Sequence, residues 1–140
     1  MNYSQLNQRI RLVQAGDREA FASLVREGCG SLYLYAIVIR EHKKEALQLV
    51  SATYIRAWNG IASLRVPDEF DLWLKGILWH EAAVSTTETT EDLRRRVQAK
   101  LDILMHQAFL QTENYWYLPV ADRRRLVEDV MARVKAAPAR

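Results

Sequence analysis

The chain has 140 residues, of which 49% are hydrophobic and 26% are charged, and its formal net charge is +3. These proportions are those of an ordinary globular protein, so they exclude an extensively disordered chain. The net charge is too small to indicate nucleic-acid binding by itself. Only five glycines and three prolines interrupt long runs of helix-forming residues, which predicts an all-α fold.

Three helices are predicted before residue 41. The first covers residues 5–14, and Asp17 is a suitable N-cap for the second, which covers residues 18–27. We expect residues 28–30 (GCG) to kink or stop this second helix, because glycine weakens a helix interior. The third helix, over residues 32–40, is apolar nearly all round, which indicates that neighbours cover most of it.

A helix over residues 43–58 is predicted to lie at the centre of the bundle. Its apolar side chains recur at steps of three and four residues, which is the period of a helix with a wide buried face. They include Leu47, Val50, Tyr54 and Trp58. We expect Gly60 to end this helix, because glycine tolerates the left-handed conformation.

The next helix is predicted over residues 70–84, after a loop at residues 61–67, with Asp68 as its N-cap. One face of this helix is apolar. It carries Phe70, Trp73, Leu74, Ile77 and Leu78. Trp79 falls outside this face, so we expect it to be an exposed apolar residue.

A linker at residues 85–90 (STTETT) divides the chain into a first part, residues 1–84, and a second part, residues 91–140. The second part is predicted to hold two helices, one over residues 91–111 and one starting at Asp122, with an aromatic patch at residues 115–117 between them. These helices either fold over the first part or pair with another subunit, so a homodimer is one possibility.

The sequence contains no nucleotide-binding glycine loop, nucleophile elbow or pair of metal ligands at helical spacing. We therefore expect no enzyme, no cofactor and no metal site. The N-terminus lacks the apolar run of a signal peptide, and no uninterrupted apolar stretch is long enough to span a bilayer. Together with the single cysteine, Cys29, these features predict a cytoplasmic protein without a membrane partner.

Three sets of residues match a known family in order and near-family spacing. They are Gly16-Asp17, Ala20-Phe21 and Leu24; then Ala46, Leu49, Val50, Tyr54, Ala57 and Trp58; then Phe70, Trp73-Leu74 and Ile77. On these residues the first part resembles region 2 of the sigma-70 family of bacterial RNA polymerase sigma factors, of the short extracytoplasmic-function (ECF) group. The resemblance implies a region-2-like helical bundle for the first part, and the two C-terminal helices predicted from their apolar periodicity follow it.

The resemblance also implies a surface that binds core RNA polymerase or another protein partner. The positions that correspond to it are Leu47, Gln48, Ser51, Tyr54 and Ile55. The chain departs from the family here, because Leu47 and Gln48 replace a Glu-Asp pair and Ser51 replaces a glutamine. An acidic contact to polymerase has therefore been lost.

A DNA-facing surface is implied on the same grounds, with Arg56, Arg65, Lys75, Trp79 and His80 as its residues. Here Trp79 and His80 replace an Arg-Asn pair of the family, which should weaken binding because phosphate contacts supply much of the affinity for DNA. The chain also lacks the region 4 helix-turn-helix with which the family reads the upstream promoter element.

Three hypotheses remain open. The first, which we slightly favour, is a sigma-like transcription regulator that binds core RNA polymerase and, with its competence for DNA left open, the promoter -10 element. The alternative is a degenerate sigma-like interaction module that binds an anti-sigma factor, another sigma factor or itself, without promoter recognition. The third is a helical bundle with a coincidental resemblance, against which the order of the matches argues.

Overall fold

A computed structural model describes residues 3–84, 86, 88–108 and 118–136, and this part of the chain is all-α, as predicted. The helices are α1 Tyr3–Gln14, α2 Arg18–Arg40, α3 Lys43–Gly60, α4 Phe70–Val84, α5 Thr90–Ala108 and α6 Val120–Ala136. Two short 3₁₀ turns, Ile61–Ser63 and Pro67–Glu69, connect α3 to α4. The predicted linker, residues 85–90, follows the last residue of α4 and overlaps α5 by one residue, Thr90.

The predicted second and third helices form one continuous helix, α2, so the prediction that a helix stops at residues 28–30 is wrong. Glycine in a helix interior costs about 1 kcal/mol relative to alanine, but here it permits close helix packing. A Cβ atom on Gly28 would lie 2.9 Å from the hydroxyl oxygen of Tyr54, and one on Gly30 would lie 3.0 Å from Nη2 of Arg123. The two glycines therefore leave room for α3 and α6 against α2.

α2, rather than α3, lies at the centre of the bundle, because it packs against all five other helices. α3 packs mainly against α2, α4 and α6. As one helix of 23 residues, α2 is also the only helix in the described part that is long and apolar enough to cross a membrane. Of its most apolar window, however, 56% is buried inside the bundle, so core packing accounts for its apolar character.

Two predicted helix boundaries, at Asp17 and at Gly60, agree with the structure, and the predicted N-cap at Asp68 does not. Asp17 caps α2 as predicted, since its side chain accepts a hydrogen bond of 3.0 Å from a backbone N–H of the first turn. α3 ends at Gly60 as predicted, but Gly60 has a φ of −111°, so it is not left-handed, and a 3₁₀ turn follows directly. α4 follows the turn Pro67–Glu69, whose N-cap is Val66. Asp68 is therefore not the N-cap, because it lies inside this turn.

α5 and α6 both pack on the first four helices. α5 lies against α2 and α4, and α6 lies against α2 and α3. Each helix buries an apolar stripe, which consists of Leu93, Val97 and Leu101 in α5 and of Leu126, Val127, Val130 and Val134 in α6. The side chains of Leu104 and Ala108 and the aromatic patch at residues 115–117 lie outside the described residues.

Candidate docking face of helix α3

The five proposed partner-binding residues of α3 occupy different environments. Leu47 is half-buried, Gln48 is exposed and Ser51 is only 2% exposed. These three line a groove between α3 and α6. Tyr54 is fully buried in the core, and Ile55 is half-buried against it. The candidate docking face is therefore the part of α3 formed by Leu47, Gln48 and Ser51.

α6 covers this docking face and makes polar contacts with α3 at two positions, Ser51 and Lys43. Ser51 Oγ donates a hydrogen bond of 2.8 Å to Oδ2 of Asp129. One turn before Leu47, Lys43 Nζ lies 2.8 Å from Oδ2 of Asp122. The groove that remains between the two helices has a volume of about 250 Å³. The docking face is thus accessible only at its edge while α6 is in place.

The rim of this groove carries charges of both signs on α6. Arg125 lies 3.6 Å from a carboxylate oxygen of Asp122, and Arg133 lies 3.4 Å from one of Asp129. Both arginines are more than half exposed, and ion pairs at the surface typically contribute only about 0–1 kcal/mol each. The buried stripe of α6, which includes Leu126 at the groove, therefore supplies most of the free energy that holds α6 in place.

Tyr54 is a core residue and not part of an exposed surface, so its assignment to the docking face is wrong. Its ring lies edge-on to Phe21, with the ring centroids 6.2 Å apart. Its hydroxyl oxygen has no hydrogen-bond partner among the described residues. Burial raises the pKa of Tyr54 well above its ordinary value, and Cys29 and Asp71 act in the same direction. The hydroxyl therefore stays protonated up to strongly alkaline pH.

Two of the proposed DNA-binding residues are exposed arginines. Arg56, near the end of α3, forms an ion pair of 2.9 Å with Glu81 of α4. Arg65 lies in the connection between the two 3₁₀ turns. The charge of Arg56 is thus balanced by a carboxylate, which reduces its attraction for phosphate.

The other proposed DNA-binding residues lie on α4, and only His80 of the three is exposed. Lys75 is half-buried, with Nζ 5.1 Å from the ring centroid of Tyr35. Trp79 is 8% exposed, so the prediction that it is an exposed apolar residue is wrong. It packs edge-on against Tyr35 at 5.9 Å and lies beneath the guanidinium of Arg94 at 5.8 Å. α5 thus covers the ring that base stacking would require.

The chemistry of the described side chains is that of a packed bundle. The thiol of Cys29 is fully buried, and burial raises its pKa, although the positive charge of Arg123 opposes this shift. A protonated, buried thiol is a poor nucleophile. Within the described ranges, no group of three or more His, Cys, Asp or Glu side chains could hold a metal ion.

Sequence reasoning did not identify the residues of α6 that complete the docking face. Asp122 and Asp129 are seven residues apart, which is two helical turns, so they share a face with Leu126 and Val130. This pattern is visible in the sequence, but it does not show which helix the face contacts. The contact with Ser51 spans 78 positions along the chain.

Comparison of the chain with protein-family models, with curated proteins and with solved structures finds no match. The observed result is an all-α bundle in which α6 covers one face of α3. A sigma-like arrangement of these helices, and any function derived from it, is therefore a proposal.

Proposed function

We propose that the chain is a sigma-like protein-interaction module that binds a protein of the transcription machinery through α3 and does not itself recognise promoter DNA. The observation that carries this proposal is the character of the docking face. Leu47 and Gln48 present apolar and neutral groups, and Ser51 already donates its hydrogen bond to Asp129. Interface centres are depleted of charged residues, so such a face suits a protein partner better than nucleic acid.

The environment of the proposed DNA-binding residues supports the same choice. Non-specific DNA binding depends on several cations that act on phosphates together. Here Arg56 is paired with Glu81, Lys75 lies over an aromatic ring and Trp79 is buried. Arg65 and His80 are exposed, but they lie on different elements. The five proposed DNA-binding residues therefore do not form one cluster of cations for phosphate binding.

The candidate partners are core RNA polymerase, an anti-sigma factor, another sigma factor and a second copy of the chain. Each of these partners would bind at the docking face. Each would also place the protein in the cytoplasm. Capture of the tagged protein from a bacterial lysate identifies the partner as the protein that is retained. The retention must depend on the docking face.

The test compares three tagged proteins in this capture: the wild type, Gln48→Lys and Leu72→Gln. Gln48 is exposed in the groove, whereas Leu72 is 73% exposed on α4 and serves as the matched surface control. We expect the wild type and the Leu72 variant to retain polymerase subunits, a sigma factor or an anti-sigma factor, and the Gln48 variant to lose them. The proposal would be contradicted if Gln48→Lys retained the same proteins as the wild type, or if only unrelated proteins were retained.

The second candidate function is a working sigma-type factor that binds core polymerase and promoter DNA. The exposed guanidinium groups of Arg56 and Arg65 favour it, since both lie at or just beyond the end of α3. Fluorescence anisotropy with a labelled single-stranded promoter oligonucleotide tests this candidate directly. Binding that weakens steeply with salt and that Arg65→Ala reduces would favour it over the interaction module.

A further inference from the structure

A cleft of about 440 Å³ lies between α2, α4 and α5 and shares no residue with the docking face of α3. Two of its lining side chains are aromatic, Tyr35 and Trp79, and their rings meet edge-on. Lys75 lies over the ring of Tyr35, and Arg94 lies over the ring of Trp79. We call this site the cationic cleft, because three helices together place two positive charges on its aromatic lining.

The charges of Lys75 and Arg94 are not balanced within the part of the chain that the structure describes. No described carboxylate forms an ion pair with either of them, whereas Arg96, two residues further along α5, pairs with Glu88. The attraction of a cation to an aromatic ring positions the side chain, but the ring is neutral and leaves the charge in place. Two cations in one cleft raise its positive potential, which favours an anion as ligand.

The other polar side chains of the cationic cleft come from α5. Arg95 lies 3.7 Å from a carboxylate oxygen of Glu91, and Gln98 adds an amide that can donate hydrogen bonds. The lining thus holds three cations and one carboxylate, which leaves a net charge of +2. The charge that the cleft can neutralise is therefore larger than that of a single carboxylate.

We propose that the cationic cleft binds a small organic phosphate, with the phosphate group between Lys75 and Arg94 and an apolar body against Tyr35. A guanidinium group matches the oxygen atoms of a phosphate, and a lysine acts on it as a point charge. The volume of about 440 Å³ lies within the range of small-molecule sites, so there is room for a body beside the phosphate. This inference goes beyond the proposed function and does not depend on it.

The charge of the cleft also indicates which kind of phosphate fits it. A phosphate monoester carries a charge of about −1.5 to −2 near neutral pH, which matches a lining of net charge +2. Each phosphate of a nucleic-acid backbone is a diester with one negative charge. A monoester on a small molecule therefore suits the cationic cleft better than a nucleic-acid strand does.

The test follows the indole N–H signal of Trp79 by NMR while phenyl phosphate is added to the full chain. Trp79 lies beneath Arg94, and loss of the signal in Trp79→Phe identifies it among the four tryptophans. We expect a saturable shift of this signal with phenyl phosphate. Inorganic phosphate should bind about threefold or more weakly, because it lacks the apolar body, and phenol should cause no saturable shift.

Four substitutions locate the binding. Arg94→Gln and Lys75→Gln each remove one cation, so each should weaken the binding of phenyl phosphate about tenfold. Glu91→Gln removes the one carboxylate among the described lining residues and should strengthen binding by about twofold or more. Arg124→Gln is the matched control, since it removes the same charge from an exposed position on α6, and it should change the affinity by less than about twofold.

None of the four substituted positions is buried, so we expect the variants to keep the fold, which circular dichroism checks. The inference would be overturned if phenyl phosphate left the Trp79 signal unchanged, or if Arg94→Gln and Arg124→Gln weakened binding equally. Equal affinity for inorganic phosphate and phenyl phosphate would also overturn it. No protein of the transcription machinery takes part, so failure here is separate from failure of the lysate capture.

Discussion

Ser51 on α3 donates a hydrogen bond of 2.8 Å to Asp129 on α6, and this contact joins two helices that are far apart in the sequence. Ser51 is 2% exposed, whereas the side chain of Asp129 is 47% exposed. Removal of Asp129 therefore leaves a buried hydroxyl without a partner, whereas removal of Ser51 leaves a carboxylate that water can reach. This hydrogen bond holds α6 over the docking face, and its buried residue, Ser51, lies on α3.

Removal of either partner of this hydrogen bond should destabilise the protein unequally. In Asp129→Ala the buried hydroxyl of Ser51 loses its partner, which should lower the free energy of unfolding by about 1–2 kcal/mol. In Ser51→Ala the half-exposed carboxylate of Asp129 can still bind water, so the loss should be about 0.5–1 kcal/mol. Urea unfolding measures both values. Glu128→Ala, at an exposed neighbouring position, should change stability by less than about 0.5 kcal/mol.

Gly28 and Tyr54 should show strong coupling in a double-mutant cycle. Gly28→Ala places a Cβ atom 2.9 Å from the buried hydroxyl oxygen, so we expect a net loss of about 1 kcal/mol or more from overpacking. In a Tyr54→Phe background that contact is absent, and the same change should stabilise α2 by about 0.5–1 kcal/mol through helix propensity. Gly76→Ala is the control, because a Cβ atom there meets no heavy atom within 4 Å. Its gain should be equal in both backgrounds, and additive effects at Gly28 and Tyr54 would contradict the close approach.

Tyr54 should make the protein sensitive to alkali. Its pKa is raised by burial above the ordinary value of 10.0, so the unfolded chain releases this proton before the folded chain does. The stabilisation from the protonated phenol is complete below that value and is lost as the pH rises above it. Above pH 10 the wild type should therefore lose unfolding free energy faster than Tyr54→Phe does, by about 1.4 kcal/mol per pH unit. Equal slopes for the variant and the wild type would show that the hydroxyl is not buried.

Near neutral pH the same Tyr54→Phe variant should be as stable as the wild type or slightly more stable. The hydroxyl has no hydrogen-bond partner among the described residues, so its removal relieves a buried polar group without breaking a bond. Thermal unfolding followed by circular dichroism at pH 7 measures this. A loss of stability larger than about 1 kcal/mol would indicate that the hydroxyl is hydrogen-bonded in solution.

The sequence was sufficient to predict the elements that local signals specify. Asp17 caps α2, α4 covers Phe70–Val84 as predicted, and the apolar stripes of α5 and α6 are buried where their side chains are described. The predicted stop at residues 28–30 was wrong because the close helix packing that glycine permits offsets its cost in helix propensity. That packing is against Tyr54 and Arg123, which no local pattern identifies.

The candidate site was predictable only in part for the same reason. Leu47, Gln48 and Ser51 were proposed as one surface, and they do line one groove. That α6 covers it depends on a contact 78 positions away, which periodicity within each helix does not specify. Trp79 was expected to be exposed because its cover, Arg94, belongs to a helix whose orientation the sequence does not show.

The central proposal is that the docking face of α3 binds a protein of the transcription machinery. Photo-crosslinking from benzoylphenylalanine at position 48 tests this proposal most directly, with position 72 as the exposed control. The account predicts crosslinks from position 48 to a polymerase subunit, a sigma factor or an anti-sigma factor, and none of these from position 72. Equal crosslinks from positions 48 and 72, or none from position 48, would contradict it.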